Sequence, residues 1–66
     1  MRALPRLKEI RTEKAMSQRD LGEAARVAPT TIGQIERGLR EAQPQTTRKL
    51  AEALGVEPAE LMREVK

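Results

Sequence analysis

Apolar residues recur along this chain in short bursts at three- and four-residue spacing, and each burst is bounded by a proline, a glycine or a polar cluster. Leu4, Leu7 and Ile10 share one face, with Lys8, Glu9 and Arg11 on the others. This pattern predicts an amphipathic helix over about residues 5–14, with Pro5 tolerated in its first turn. Ser17 reads as an N-cap with Asp20 three residues on, where a capping-box acid belongs. It opens a second helix over 18–25 whose apolar face is Leu21, Ala24 and Ala25. Pro29 opens a third helix, because proline at the first helical position costs no hydrogen bond. Ile32 and Ile35 face its core, and Gly38 closes it as a left-handed cap. After a short polar connection, Leu39–Gln43, the pair Gln43-Pro44 starts a fourth helix carrying Leu50, Ala51 and Leu54 inward to a stop at Gly55. Glu57-Pro58 repeats the device for a last short helix with Leu61, Met62 and Val65. No segment alternates at period two. The expected fold is all-α, a compact five-helix bundle forming a single domain over residues 1–66.

Composition sharpens this picture in two ways. The 66 residues include no Cys, no His and no aromatic side chain. Aliphatic packing must therefore hold the fold, without disulfides or imidazole or thiolate metal ligands. A core of this size rarely supplies more than about 3–5 kcal/mol, so a partner subunit is a reasonable expectation. The net charge of +3 is unevenly placed. Residues 1–49 hold eleven Lys/Arg against six Asp/Glu, a balance of +5, whereas residues 50–66 hold two against four, a balance of −2. A basic body with a mildly acidic end suits a polyanion on one face. No run approaches the roughly 20 apolar residues of a membrane helix, and MRALPRLKEIR lacks the apolar run of a signal peptide. A cytoplasmic protein is the expectation.

The most informative stretch is Ser17–Gly38, SQRDLGEAARVAPTTIGQIERG: two short helices and a tight turn, the second helix carrying small polar residues. A helix facing only water would be covered with Lys and Glu. This one offers Thr30, Thr31, Gly33 and Gln34 instead. That is the arrangement which places a helix in the major groove of DNA. From Leu7 to Leu61 the chain resembles the lambda-repressor-like (Xre-type) helix-turn-helix DNA-binding domain family. The resemblance rests on S-Q opening a helix, a small apolar turn, T-I-x-x-I-E-R-G closing the third helix, and K-L-A-x-A-L-G-V in the fourth.

The resemblance implies roles residue by residue. Pro29, Thr30, Gly33 and Gln34 would form the solvent-facing, base-contacting side of the third helix, with Thr30 and Gln34 stacked at i and i+4. Gln suits the N6/N7 edge of adenine, and Thr brings a hydroxyl and a methyl suited to thymine. Gln18, Arg19, Thr31, Arg37 and Arg40 would hold phosphates, with Arg26 a further candidate. An Arg at the place of Arg11 pairs in such domains with the Glu of I-E-x-G, here Glu36; the alternative is two exposed charges worth about 0–1 kcal/mol. Three residues depart from the family pattern. Arg26 stands where the turn commonly has Gly, so either it bears a left-handed conformation costing about 1–2 kcal/mol or the turn takes another shape. Gly22 replaces Ala, costing about 1 kcal/mol of helix propensity while allowing closer packing. Ala28 replaces a Ser cap.

Leu61, Met62 and Val65 are read either as a cap on the domain's own core or as an exposed patch for a second copy. The family's habit of dimerising through its C-terminal helix favours a homodimer. Arg2, Arg6, Lys8 and Lys14 read most simply as a solvated face. Catalysis has no footing: there is no nucleophile–base set without His or Cys, no metal-ligand spacing and no glycine-rich phosphate loop. No cofactor is expected. The function expected is a sequence-specific transcriptional regulator, a repressor on a pseudo-palindromic site in double-stranded DNA. The alternative is an antitoxin-like interaction module with autoregulatory DNA binding, disfavoured by the five residues left after Leu61.

Overall fold

The computed structural model describes residues 4–63. Its elements are α1 (Leu7–Glu13), α2 (Gln18–Ala25), α3 (Pro29–Glu36), α4 (Pro44–Leu54) and α5 (Pro58–Met62). No strand occurs among the described residues. Helix α2 packs on both α3 and α4, and α4 on α5. One aliphatic core joins them: Leu4, Leu7 and Ile10 from the α1 segment, Leu21 and Ala25 from α2, Ile32 and Ile35 from α3, Leu50, Ala51 and Leu54 from α4, and Leu61 from α5. Ala42, in the α3–α4 connection, closes it.

The helix starts follow two designs. Pro29, Pro44 and Pro58 open α3, α4 and α5 at the first helical positions, with no side chain capping them. Helix α2 instead has a complete capping box: the Asp20 backbone N–H donates to Ser17 Oγ at 2.9 Å, and the Ser17 N–H donates to Asp20 Oδ2 at 3.1 Å. The hydrogen bonds from Ser17, backbone first, hold the Asp20 carboxyl below its ordinary range, with Arg19 adding a smaller pull. Helix α1 begins later than the pattern predicts. Pro5 and Arg6 form a turn in which the Leu7 N–H reaches the Leu4 carbonyl, and the helix proper starts at Leu7.

The helix ends share one device. After α3, Gly38 takes φ +75°, its N–H bonds the Ile35 carbonyl, and the Leu39 N–H bonds the Gln34 carbonyl. This is the paired reverse bonding of a Schellman stop. After α4, Gly55 at φ +72° repeats it, with Val56 reaching Ala51. The same left-handed residue ends α1 at Ala15 (φ 58°) and α2 at Arg26 (φ 59°). Of the two shapes open to the turn at Arg26, the chain takes the strained one. Ala15 carries the same kind of strain with no signal in its sequence.

Candidate nucleic-acid interface

Helix α3 is held at the surface by its inner face, where Ile32 and Ile35 are almost fully buried. Pro29 and Thr30 are exposed on the outer side and Gln34 is half-exposed. Gln34 Oε1 lies 3.5 Å from the Arg40 Nη1, at the limit of a hydrogen bond. Arg37 and Arg40 are exposed at the C-terminal end, and Arg37 Nε donates to the Gly33 carbonyl at 3.2 Å. The Arg37 side chain is thus laid back along its own helix with the rest of its guanidinium free for a phosphate. Thr31 is half-buried and turned toward the α3–α4 connection, lining a cleft of about 100 Å³ with Ile35, Arg40 and Ala42. Arg19 is exposed on α2, 3.8 Å from Glu23 one turn on, a pairing worth little in water. Gln34 and the cationic residues Arg37 and Arg40 therefore lie together toward the C-terminal end of α3.

A buried polar network joins the end of α3 to α1 and α2. Arg11 Nε donates to Glu36 Oε2 at 2.6 Å, and Arg11 Nη2 to Glu36 Oε1 at 3.1 Å. The fork of the guanidinium meets the carboxylate bidentately, the strongest geometry for such a pair. The two side chains are only 10% and 3% exposed. The hydrogen bond to Glu36 holds the Arg11 guanidinium protonated still more firmly than usual. Arg11 Nη1 also donates to the Met16 carbonyl at 2.7 Å, so one guanidinium ties α1, the α1–α2 turn and the last turn of α3 together. Gln18, from the first turn of α2, completes the set by donating from Nε2 to Glu36 Oε1 at 3.0 Å. Among the described residues no buried side-chain nitrogen or oxygen is left without a partner.

Several placements differ from the sequence reading. Gly33, expected on the solvent-facing side, is buried, because the Gln18 amide lies across it: a Cβ there would stand 3.3 Å from Oε1 and 3.4 Å from Nε2. Leu61, read as a possible patch for a second copy, is fully buried in its own core. Met62 is half-buried, and Val65 and Arg2 lie outside the described residues. Arg6 is no solvated charge: it donates to Glu9 at 3.1 Å and to Glu60 at 3.0 Å, pinning α1 to α5. The closer packing expected of Gly22 is present: a Cβ there would lie 2.6 Å from the Val27 carbonyl oxygen, so glycine is required. One feature escaped the sequence reading. The Gln18–Glu36 bond joins residues eighteen apart and leaves no local periodicity to betray it.

Five helices with this order, and a buried Arg–Glu pair behind a polar-faced third helix, invite comparison with known proteins. The helix-turn-helix family model HTH_3 matches residues 7–61. The chain belongs to that family, the lambda-repressor-like (Xre-type) domains. A solved structure, the restriction-modification controller protein C.AhdI from Aeromonas hydrophila, matches with a TM-score of 0.83 and 41% identity, covering 85% of each chain. No curated protein matches. This helix-turn-helix protein is a DNA-binding transcription regulator. No described helix is long and apolar enough to cross a membrane.

Proposed function

We propose that this protein is a sequence-specific repressor that binds a pseudo-palindromic operator as a homodimer, residues 1–66 acting as one domain. The observation that carries the reading is the outer side of α3. Thr30 and Gln34 present uncharged donors and acceptors there, and Arg37 and Arg40 flank them. Thr30 and Gln34 read base edges, with Pro29 against the groove wall. Gln18, Arg19, Thr31, Arg37 and Arg40 hold phosphates, which position the domain without reading sequence. With no arginine aimed at guanine, each half-site discriminates modestly, about 1–3 kcal/mol per good bidentate contact. Two copies then supply the specificity that one lacks.

The surface left for pairing lies beside α5 rather than on Leu61. Pro44, Thr47, Arg48, Pro58 and Met62 line an open groove of about 300 Å³, with Met62 half-exposed. Two α3 helices in successive major grooves require half-sites one helical turn, about 34 Å, apart. Similarity to a restriction-modification controller supports a controller's duty here as well. Selection from random duplexes, followed by gel shifts at fixed salt, tests the reading. Enrichment of two inverted half-sites one helical turn apart is the expected result. Enrichment of a single unpaired site, or none, would contradict it.

A further inference from the structure

Gly33 sits in the middle of the reading helix yet has no access to a groove, and its neighbour explains why. The Gln18 amide reaches from the start of α2 onto the spot where a side chain at 33 would stand, with Oε1, Nε2 and Cδ at 3.3, 3.4 and 3.6 Å from an ideal Cβ. Its orientation is not free. The Glu36 carboxylate can only accept, so the amide nitrogen must face it, and Nε2 does so at 3.0 Å. Glu36 is itself locked by Arg11 through two bonds. Gln18 is therefore fixed at both ends, by its helix and by Glu36, and keeps one N–H and a carbonyl unspent on a half-exposed side chain.

We infer that Gly33 is a positioning residue: its missing side chain seats Gln18 on α3, so that the free amide N–H of Gln18 is aimed at a DNA phosphate in fixed register with the reading helix. The inference rests on the DNA-reading proposal above and deepens it, moving Gly33 from the base-contacting set to the support of a phosphate contact. A methyl at 33 would crowd the Gln18 amide at 3.3 Å from Oε1, so that the side chain must give by a few tenths of an ångström against its bond to Glu36. A larger phosphate-holding surface is thus shared between two helices that a simple reading would treat separately.

The test is a cycle of Gln18→Ala, Gly33→Ala and the double variant, each titrated against a selected operator and an unrelated duplex over a range of salt. Gln18→Ala is expected to weaken both duplexes alike, by about tenfold, the order of one hydrogen bond to a charged group. Gly33→Ala should weaken both by up to that factor, and the double variant no more than Gln18→Ala alone. Because an amide carries no charge, the salt dependence should keep its wild-type slope. If Gly33→Ala changes nothing, or its loss persists undiminished in the Gln18→Ala background, the inference is overturned. A flattened salt slope would overturn it too, showing that α3 itself had moved and lost its arginine contacts. Thermal melting of each variant separates these effects from unfolding, since the Gln18→Ala background opens the space that a Cβ at 33 needs. Failure of the DNA-reading proposal looks different: wild-type protein would then prefer no duplex over any other.

Discussion

Helices α2 and α3 on one side, and α4 and α5 on the other, are each a short pair packed on the same aliphatic core, yet they are built by different means. Between α2 and α3 the contact is close and polar: the Val27 carbonyl sits against Gly22, Gln18 lies over Gly33, and Glu36 accepts from both Arg11 and Gln18. The turn joining them is held in a left-handed conformation by Arg26. Between α4 and α5 the contact is aliphatic, through Leu50, Leu54 and Leu61, and the turn uses Gly55, which takes the same conformation without strain. The half that carries the polar-faced α3 thus gives up stability for geometry. The half that supports it gives up little.

The largest test of this contrast is Glu36→Ala. Removing one partner of a buried pair strands the other charge and costs about 3–5 kcal/mol. A core worth no more than that would be largely unfolded at 25 °C, as circular dichroism would show. Replacing Arg11 and Glu36 together by aliphatic residues of similar volume should restore much of the stability, because the desolvation cost of both charges disappears. DNA binding should return only in part, weaker by up to about tenfold, since Gln18 would have lost its anchor. Full recovery of both would mean that the network serves stability alone.

Next comes Gly22→Ala, which favours helix in isolation by about 1 kcal/mol but drives a methyl into a backbone carbonyl. A net destabilisation of about 1–3 kcal/mol in urea titrations is expected. A gain would show that α2 and its turn can part without cost. Smaller still is the paired exchange at the turns. Arg26→Gly should raise stability by about 1 kcal/mol, and Gly55→Ala should lower it by a similar amount. Ala15→Gly should behave like Arg26→Gly. Melting curves that moved all three variants the same way would remove the distinction between a strained and a relaxed half.

The helix order was legible because proline at first positions and glycine after last ones are physical punctuation, and aliphatic periodicity fills the space between. Ala15 shows where such reading stops. Nothing about alanine announces a left-handed conformation; it is framed by bonds from the Met16 N–H to the Arg11 carbonyl and from Arg11 Nη1 back to the Met16 carbonyl. At Gly22 propensity gives only the local cost and the room for closer packing; the carbonyl that forbids a side chain there belongs to Val27, in the turn that follows. Gly33 is expected on the open side of α3 because Ile32 and Ile35 face inward, yet the position is buried. What covered it came from another helix. Leu61 was ambiguous for a related reason: a lone leucine on a five-residue helix can face its own core or a second copy, and the choice depends on where α4 sits.

The central claim is that base reading and backbone holding are divided between residues of α3 and its flanks. It is tested most directly by measuring Thr30→Ala, Gln34→Ala and Arg37→Ala against a selected operator and an unrelated duplex at the same salt. Thr30→Ala and Gln34→Ala should each weaken the operator by about tenfold while leaving the unrelated duplex nearly unchanged. Arg37→Ala should weaken both and flatten the salt dependence. Equal losses on both duplexes for all three variants would contradict the division.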